Sequence, residues 1–183
     1  VKEATLDNQA ALNRFLQEVE RRAYRMAVIA TGDREEALEI VQDSMIKLAS
    51  KYADKEAREW GPLFQRILQS TIRDWYRRNK VRHGILRLFG IDEREQEYGA
   101  DAYAAGNQDE PEQRAKTDSA VTVLDGALRT LPLRQQQVFL LREFEGLDVR
   151  ATAAALGISE GSVKTHYSRA VHTLREQLEG HWP

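Results

Sequence analysis

The stretch from Gly146 to Ala170 leaves this chain fewer options than any other part of it. Val149 to Leu156 is short and rich in alanine, the best helix former, and Gly157 stands where a left-handed residue closes such a helix. Ser159 then offers its hydroxyl as the cap of a second helix. In that second segment Val163, Tyr167, Ala170, Leu174 and Leu178 recur at spacings of three and four, which gathers them on one face. Gly161, Thr165, Ser168 and His172 fall on the opposite face, with Lys164 and Arg169 on its flanks. The pattern predicts two helices joined by a tight turn, the second turning small and polar side chains outward.

Such a face suits the DNA major groove, where phosphates attract Lys and Arg and short hydrogen-bonding side chains let the backbone approach the bases. A Gly-centred helical hairpin is also a common structural device with a merely solvated face. The spacing alone leaves both readings open, and the rest of the chain must decide.

Its length, 183 residues, allows one large domain or two small ones. No apolar run approaches the ~20 residues that span a bilayer, and no signal-peptide pattern opens the chain, so a cytoplasmic protein without membrane insertion is expected. There is no cysteine, and the four histidines include no i, i+4 pair. Disulfides and thiolate metal sites are thereby excluded, and no metal site, cofactor or catalytic centre is expected. The net charge of −2 is unexpected for a nucleic-acid binder. It hides a segregation along the chain.

In the N-terminal half, Leu12, Phe15, Leu16, Val19, Ala23, Met26, Ala27 and Ala30 keep to one helical face, and Gly32 ends that helix. Asp33 with Glu36 makes a capping-box-like start for the next, whose Leu38, Val41, Met45, Leu48 and Tyr52 form a stripe. Its other side carries Glu39, Gln42, Asp43, Ile46 and Lys47, and an isoleucine among polar groups is compatible with docking. Lys51 to Gly61 breaks the pattern, and Pro62 is expected at the first position of a third helix. There Phe64, Ile67, Leu68, Thr71, Ile72 and Trp75 face the core. Between Arg66 and Arg82 six basic residues, Arg66, Arg73, Arg77, Arg78, Lys80 and Arg82, stand against the single acid Asp74. Cations that follow phosphates, with Tyr76 among them, suit an unpaired strand, while Trp75 belongs to the core.

From His83 to about Thr117 no sustained helical period is visible, and acids outnumber bases, so residues 83–117 read as an acidic linker. Beyond it Val121, Leu124, Leu128 and Leu131 mark a helix ending near Pro132, and Val138, Phe139, Leu141 and Arg142 mark another. The expected fold is all-α, with helical domains at 1–82 and 118–183.

This order of parts resembles the bacterial RNA polymerase sigma factors of the sigma-70 family, in the extracytoplasmic-function group that keeps only regions two and four. Ala37 to Asp43 resembles the region-two helix that binds the beta-prime clamp helices of core polymerase. Phe64 to Arg78 resembles the segment that engages the minus-ten element. Leu131-Pro132, Val138-Phe139, Gly146 and the run Ser162 to Ala170 resemble region four, which reads the minus-35 element. The resemblance implies a non-enzymatic promoter-specificity subunit. Glu39, Gln42, Asp43, Ile46 and Lys47 would meet polymerase. The six basic residues would take the melted minus-ten strand, aided by the 51–61 loop, and Ser159, Glu160, Gly161, Ser162, Lys164, Thr165, Ser168 and Arg169 would face the minus-35 duplex. An anti-sigma factor is a further implied partner, and the linker would thread toward the active-site and RNA-exit channel. The chain departs from the family at Glu39, where Asp is frequent, and at Arg150 to Ala153, where Glu-Ile-Ala is usual. The competing reading is a LuxR-type regulator, whose helix-turn-helix has a similar Val163 to His166 string but which acts without being a polymerase subunit.

Overall fold

The computed structural model describes residues 2–88 and 111–179, with side chains over 8–79 and 121–179. These form seven helices: α1 (Lys2–Thr31), α2 (Arg34–Tyr52), α3 (Ala57–Leu88), α4 (Pro111–Thr130), α5 (Leu133–Glu143), α6 (Val149–Leu156) and α7 (Glu160–Leu178). The first three pack as one bundle and the last four as another, the all-α arrangement that the periodicity predicts. No described helix is long and apolar enough to cross a membrane.

Local chemistry sets the ends. Gly32 at φ 71° closes α1 through its N–H on the Val28 carbonyl at 2.8 Å. Asp33 Oδ1 then accepts from the N–H groups of Glu35 and Glu36, at 2.8 and 3.0 Å, and starts α2. The reciprocal half of the expected capping box is absent. The Glu36 carboxylate instead accepts the indole N–H of Trp75 at 2.7 Å, and the Asp33 N–H turns to the Thr31 hydroxyl. A buried indole needs an acceptor, so the tertiary bond displaces the local one and ties α2 to α3.

Three further expectations need correction. The α2 stripe is rotated: Ala37, Ile40, Val41, Ser44 and Leu48 are buried, and Leu38 is 47 % exposed. Two flanking helices, α1 and α3, give α2 a wide inward face, and small Ala37 and Ser44 fit where the helices approach. α3 starts at Ala57, so Pro62 lies inside the helix. Its start is set by Glu59, whose carboxylate accepts the Glu56 N–H at 3.2 Å, and by Trp60, buried with its indole N–H on the Tyr52 carbonyl. The helical limits also pass those suggested by the period, since α3 runs to Leu88 and α4 begins at Pro111. Pro111 stands at the first position of α4, where its fixed φ and missing N–H suit a helix start.

The two bundles share a core. Leu12, Met26 and Ile29 of α1, Trp60, Phe64 and Leu68 of α3, and Leu128, Leu140 and Leu174 from the second bundle belong to one buried cluster. A smaller cluster of Val138, Leu141, Ala153, Ala155, Leu156 and Val163 holds the helix-turn-helix together. α3 lies directly on α6, and α1 touches α4 and α5.

Candidate nucleic-acid and polymerase interface

The outer side of α3 is built by its inner one. Phe64, Leu68 and Ile72 are buried, Trp75 nearly so, and Thr71 back-bonds to the Ile67 carbonyl at 3.0 Å. Fixing that face turns Arg66, Arg73, Arg77 and Arg78 outward, all exposed. Arg77 lies 3.7 Å from Asp74, an exposed pair of the kind worth little. Tyr76, 42 % exposed, stands among these cations and offers a ring face for an unstacked base. Lys80 and Arg82 lie on α3, but their side chains fall outside the described residues. Trp75 is core, as its place on the apolar stripe predicts.

On α2, Glu39, Gln42, Asp43, Ile46 and Lys47 are all exposed. Lys47 reaches back to the Thr71 hydroxyl at 3.3 Å, which anchors it beside α3. Ile46 is 64 % exposed, and Leu38, one turn from Gln42, extends the same apolar patch. Sequence reasoning placed Leu38 in the core. Two large aliphatic side chains beside carboxylates form a surface with something to gain from being covered.

In the helix-turn-helix, Asp148 Oδ1 caps α6 by accepting the Ala151 N–H at 2.7 Å. Gly157 at φ 63° ends α6, and Ser159 caps α7 through the Ser162 N–H at 3.1 Å. Ser159, Glu160, Gly161, Lys164, Thr165, Ser168 and Arg169 are exposed and Ser162 is half-buried, while Val163, Ala170 and Leu174 are buried. The Ser159 and Ser162 hydroxyls meet at 2.8 Å, and Thr165 back-bonds to the Gly161 carbonyl. These contacts tighten the first turns of α7, the end that a major groove admits first.

α5 braces that helix. The Tyr167 ring stacks on Phe139, with centroids 6.3 Å apart and planes at 15°, and Arg142 lies over it at 5.8 Å. Its hydroxyl donates to Glu143 at 2.6 Å, and that bond, ahead of burial, pushes the phenol above its ordinary range. Arg142 also donates to the Leu147 carbonyl and fixes the turn into α6.

Polar contacts join the bundles. The Gln137 amide donates to the Gln69 carbonyl at 3.1 Å, and the Gln136 amide to the carbonyls of Leu128 and Ile29 at 2.9 and 3.5 Å. Arg25 pairs with Asp125 at 3.3 Å, and Arg22 with Glu145 at 3.5 Å. Burial raises the Glu145 carboxyl, against the pull of Arg22 and a hydrogen bond from Gln65. Arg134, which nothing in the sequence pattern singles out, approaches α3. Its guanidinium donates to Gln137 at 3.2 Å and to the Leu156 carbonyl at 3.4 Å. Burial, then the positive charge of Arg73, lowers its pKa from the usual arginine range. Only a cross-bundle contact reveals this residue.

The model of sigma-70 region 4 matches residues 122–174. The RNA polymerase sigma-E factor of Streptomyces antibioticus is 31% identical over 150 residues, 80% of this chain and 73% of that protein. The ECF RNA polymerase sigma factor SigX of Bacillus subtilis is 25% identical over 158 residues, 85% and 77% of the two chains. Among solved structures, the sigma factor RpoE bound to the anti-sigma factor NepR from Bartonella quintana superposes with a TM-score of 0.62 at 21% identity, covering 98% of both chains. CnrH, bound to the cytosolic domain of CnrY, gives 0.60 at 21%, covering 98% of this chain and 94% of the other.

Proposed function

The chain belongs to the extracytoplasmic-function group of the sigma-70 family and so directs RNA polymerase to start transcription; on that premise we propose how its surfaces divide the task. The α2 face of Glu39, Gln42, Asp43, Ile46 and Lys47, enlarged by Leu38, docks on the beta-prime clamp helices. Arg66, Arg73, Arg77, Arg78, Lys80 and Arg82 gather the melted minus-ten strand, with Tyr76 as a stacking platform. The exposed face from Ser159 to Arg169 enters the minus-35 major groove. The observation that carries this reading is the charge on α3: its buried face fixes the helix so that an arginine ridge with one exposed aromatic ring points outward. The LuxR-type alternative finds no support in the matches.

Melting needs no covalent step. Capturing unpaired bases offsets the few kcal/mol that unstacking and unpairing cost, and the arginines hold the strand as it separates. The minus-ten and minus-35 elements lie about 25 base pairs apart, or about 85 Å at about 3.4 Å each. A compact chain of this length has a radius of gyration of only about 16 Å. The packed arrangement of α3 against α6 therefore has to open before both elements are read. The similar fold of RpoE bound to the anti-sigma factor NepR supports a partner of that class.

Replacing Arg77 and Arg78 together by Ala tests the assignment of α3. Permanganate footprinting should show open-complex formation reduced at least tenfold, with core-polymerase affinity unchanged. Loss of core binding instead would place α3 in the polymerase interface.

A further inference from the structure

α3 and the helix-turn-helix leave between them a half-open cleft of about 190 Å³, lined by Arg66, Gln69, Ser70 and Arg73 on one side and by Arg134 and the Ala155–Gly157 end of α6 on the other. Three guanidinium groups border it, and no carboxylate does. None of the three has an ion-pair partner within 4 Å among the described residues. Their polar contacts are all neutral: Arg73 donates to Ser70 at 3.3 Å, and Arg134 to Gln137 and Leu156. The last bond occupies a carbonyl at the negative end of α6, which would otherwise repel an anion.

Arg134 is also held in place. Gln137, 2 % exposed, accepts from Arg134 through its side-chain oxygen and donates through its amide to the backbone of Gln69, itself 3 % exposed. Packing the bundles together therefore brings Arg134 toward Arg73, and burial, then the like charge there, act against Arg134's proton. Like charges at a closed interface cost free energy unless an anion answers them. Guanidinium forks match the oxygens of tetrahedral oxyanions, and the Ser70 hydroxyl adds a neutral donor.

We propose that Arg66, Arg73 and Arg134 form an anion site, complete only when α3 and α6 are packed together, that takes a phosphate group carried by a small molecule. A cleft of this size excludes a duplex. Occupancy stabilises the closed arrangement by mass action and withholds Arg66 and Arg73 from promoter DNA. The site rests on the geometry alone; only its effect on initiation rests on the proposed role of α3.

The test uses the full chain and inorganic phosphate, titrated at constant ionic strength against chloride. Phosphate should raise the melting temperature saturably, with half-saturation moved at least tenfold higher by Arg134→Gln. Arg73→Gln, at an exposed position, should do the same and guards against a folding defect at Arg134. A rise of equal size in both variants, or an equal rise with chloride, overturns the site. In a second arm, prior incubation with phosphate should slow open-complex formation by the wild type and leave Arg134→Gln unaffected. Intact phosphate binding with no such slowing overturns the link to initiation while the site stands.

Discussion

At the residue scale, two positions carry energies that the fold makes specific. Gly157 holds φ 63° at the turn between α6 and α7, with open space around its missing Cβ. Gly157→Ala should therefore act through backbone strain alone, lowering stability by about 1–2 kcal/mol; thermal unfolding measures it, and an unchanged melting temperature would contradict the left-handed assignment. Glu145 behaves oppositely to a usual surface carboxylate. Its folded-state pKa is raised by burial, so it favours the packed state while protonated and loses that contribution as pH rises from the ordinary range of ~4.3 through the raised value. Glu145→Gln should remove that part of the pH dependence and raise the melting temperature at neutral pH. A drop at neutral pH would show that the Arg22 pair outweighs the burial cost.

At the scale of elements, the α2 face makes the sharpest claim. Ile46 is mostly exposed, so Ile46→Glu should change stability by no more than about 0.5 kcal/mol, yet weaken association with core polymerase roughly tenfold or more through lost apolar burial. A native affinity would remove α2 from the interface. This helix also shows where sequence reading stops. Period and caps located every helix of the helix-turn-helix, because Gly157 and Ser159 act within a few residues of themselves. They rotated α2 wrongly, because which of Leu38 and Ile40 is buried depends on α1 and α3 flanking it. Glu36 was assigned to a local cap for the same reason, and its partner Trp75 lies 39 residues away. Arg134 was invisible until α5 met α3. Pro62 lies inside α3 because Glu59 and Trp60 start that helix earlier, whereas Pro111 stands at the first position of α4, where proline is favoured.

For the whole molecule, two bundles of ordinary size share one buried cluster and several polar ties, and on the proposed reading promoter binding competes with that packing. Residues 89–110, which lie outside the described residues, join α3 to α4 and are rich in acids. The near-neutral net charge is then the sum of a basic ridge on α3 and an acid-rich connector. None of the described acids, with or without histidine, gathers into a metal-holding group. In the proposed division of labour, α3 and α7 read separate elements in one promoter. Transcription by core polymerase with this protein on a library of random upstream sequences, with every start mapped, tests it most directly. The account predicts starts preceded by two enriched blocks about 25 base pairs apart, or about 85 Å of duplex, the distal block alone losing its enrichment when Lys164 and Arg169 are replaced by Ala. A single block, or both blocks lost together on changing α7, would contradict it.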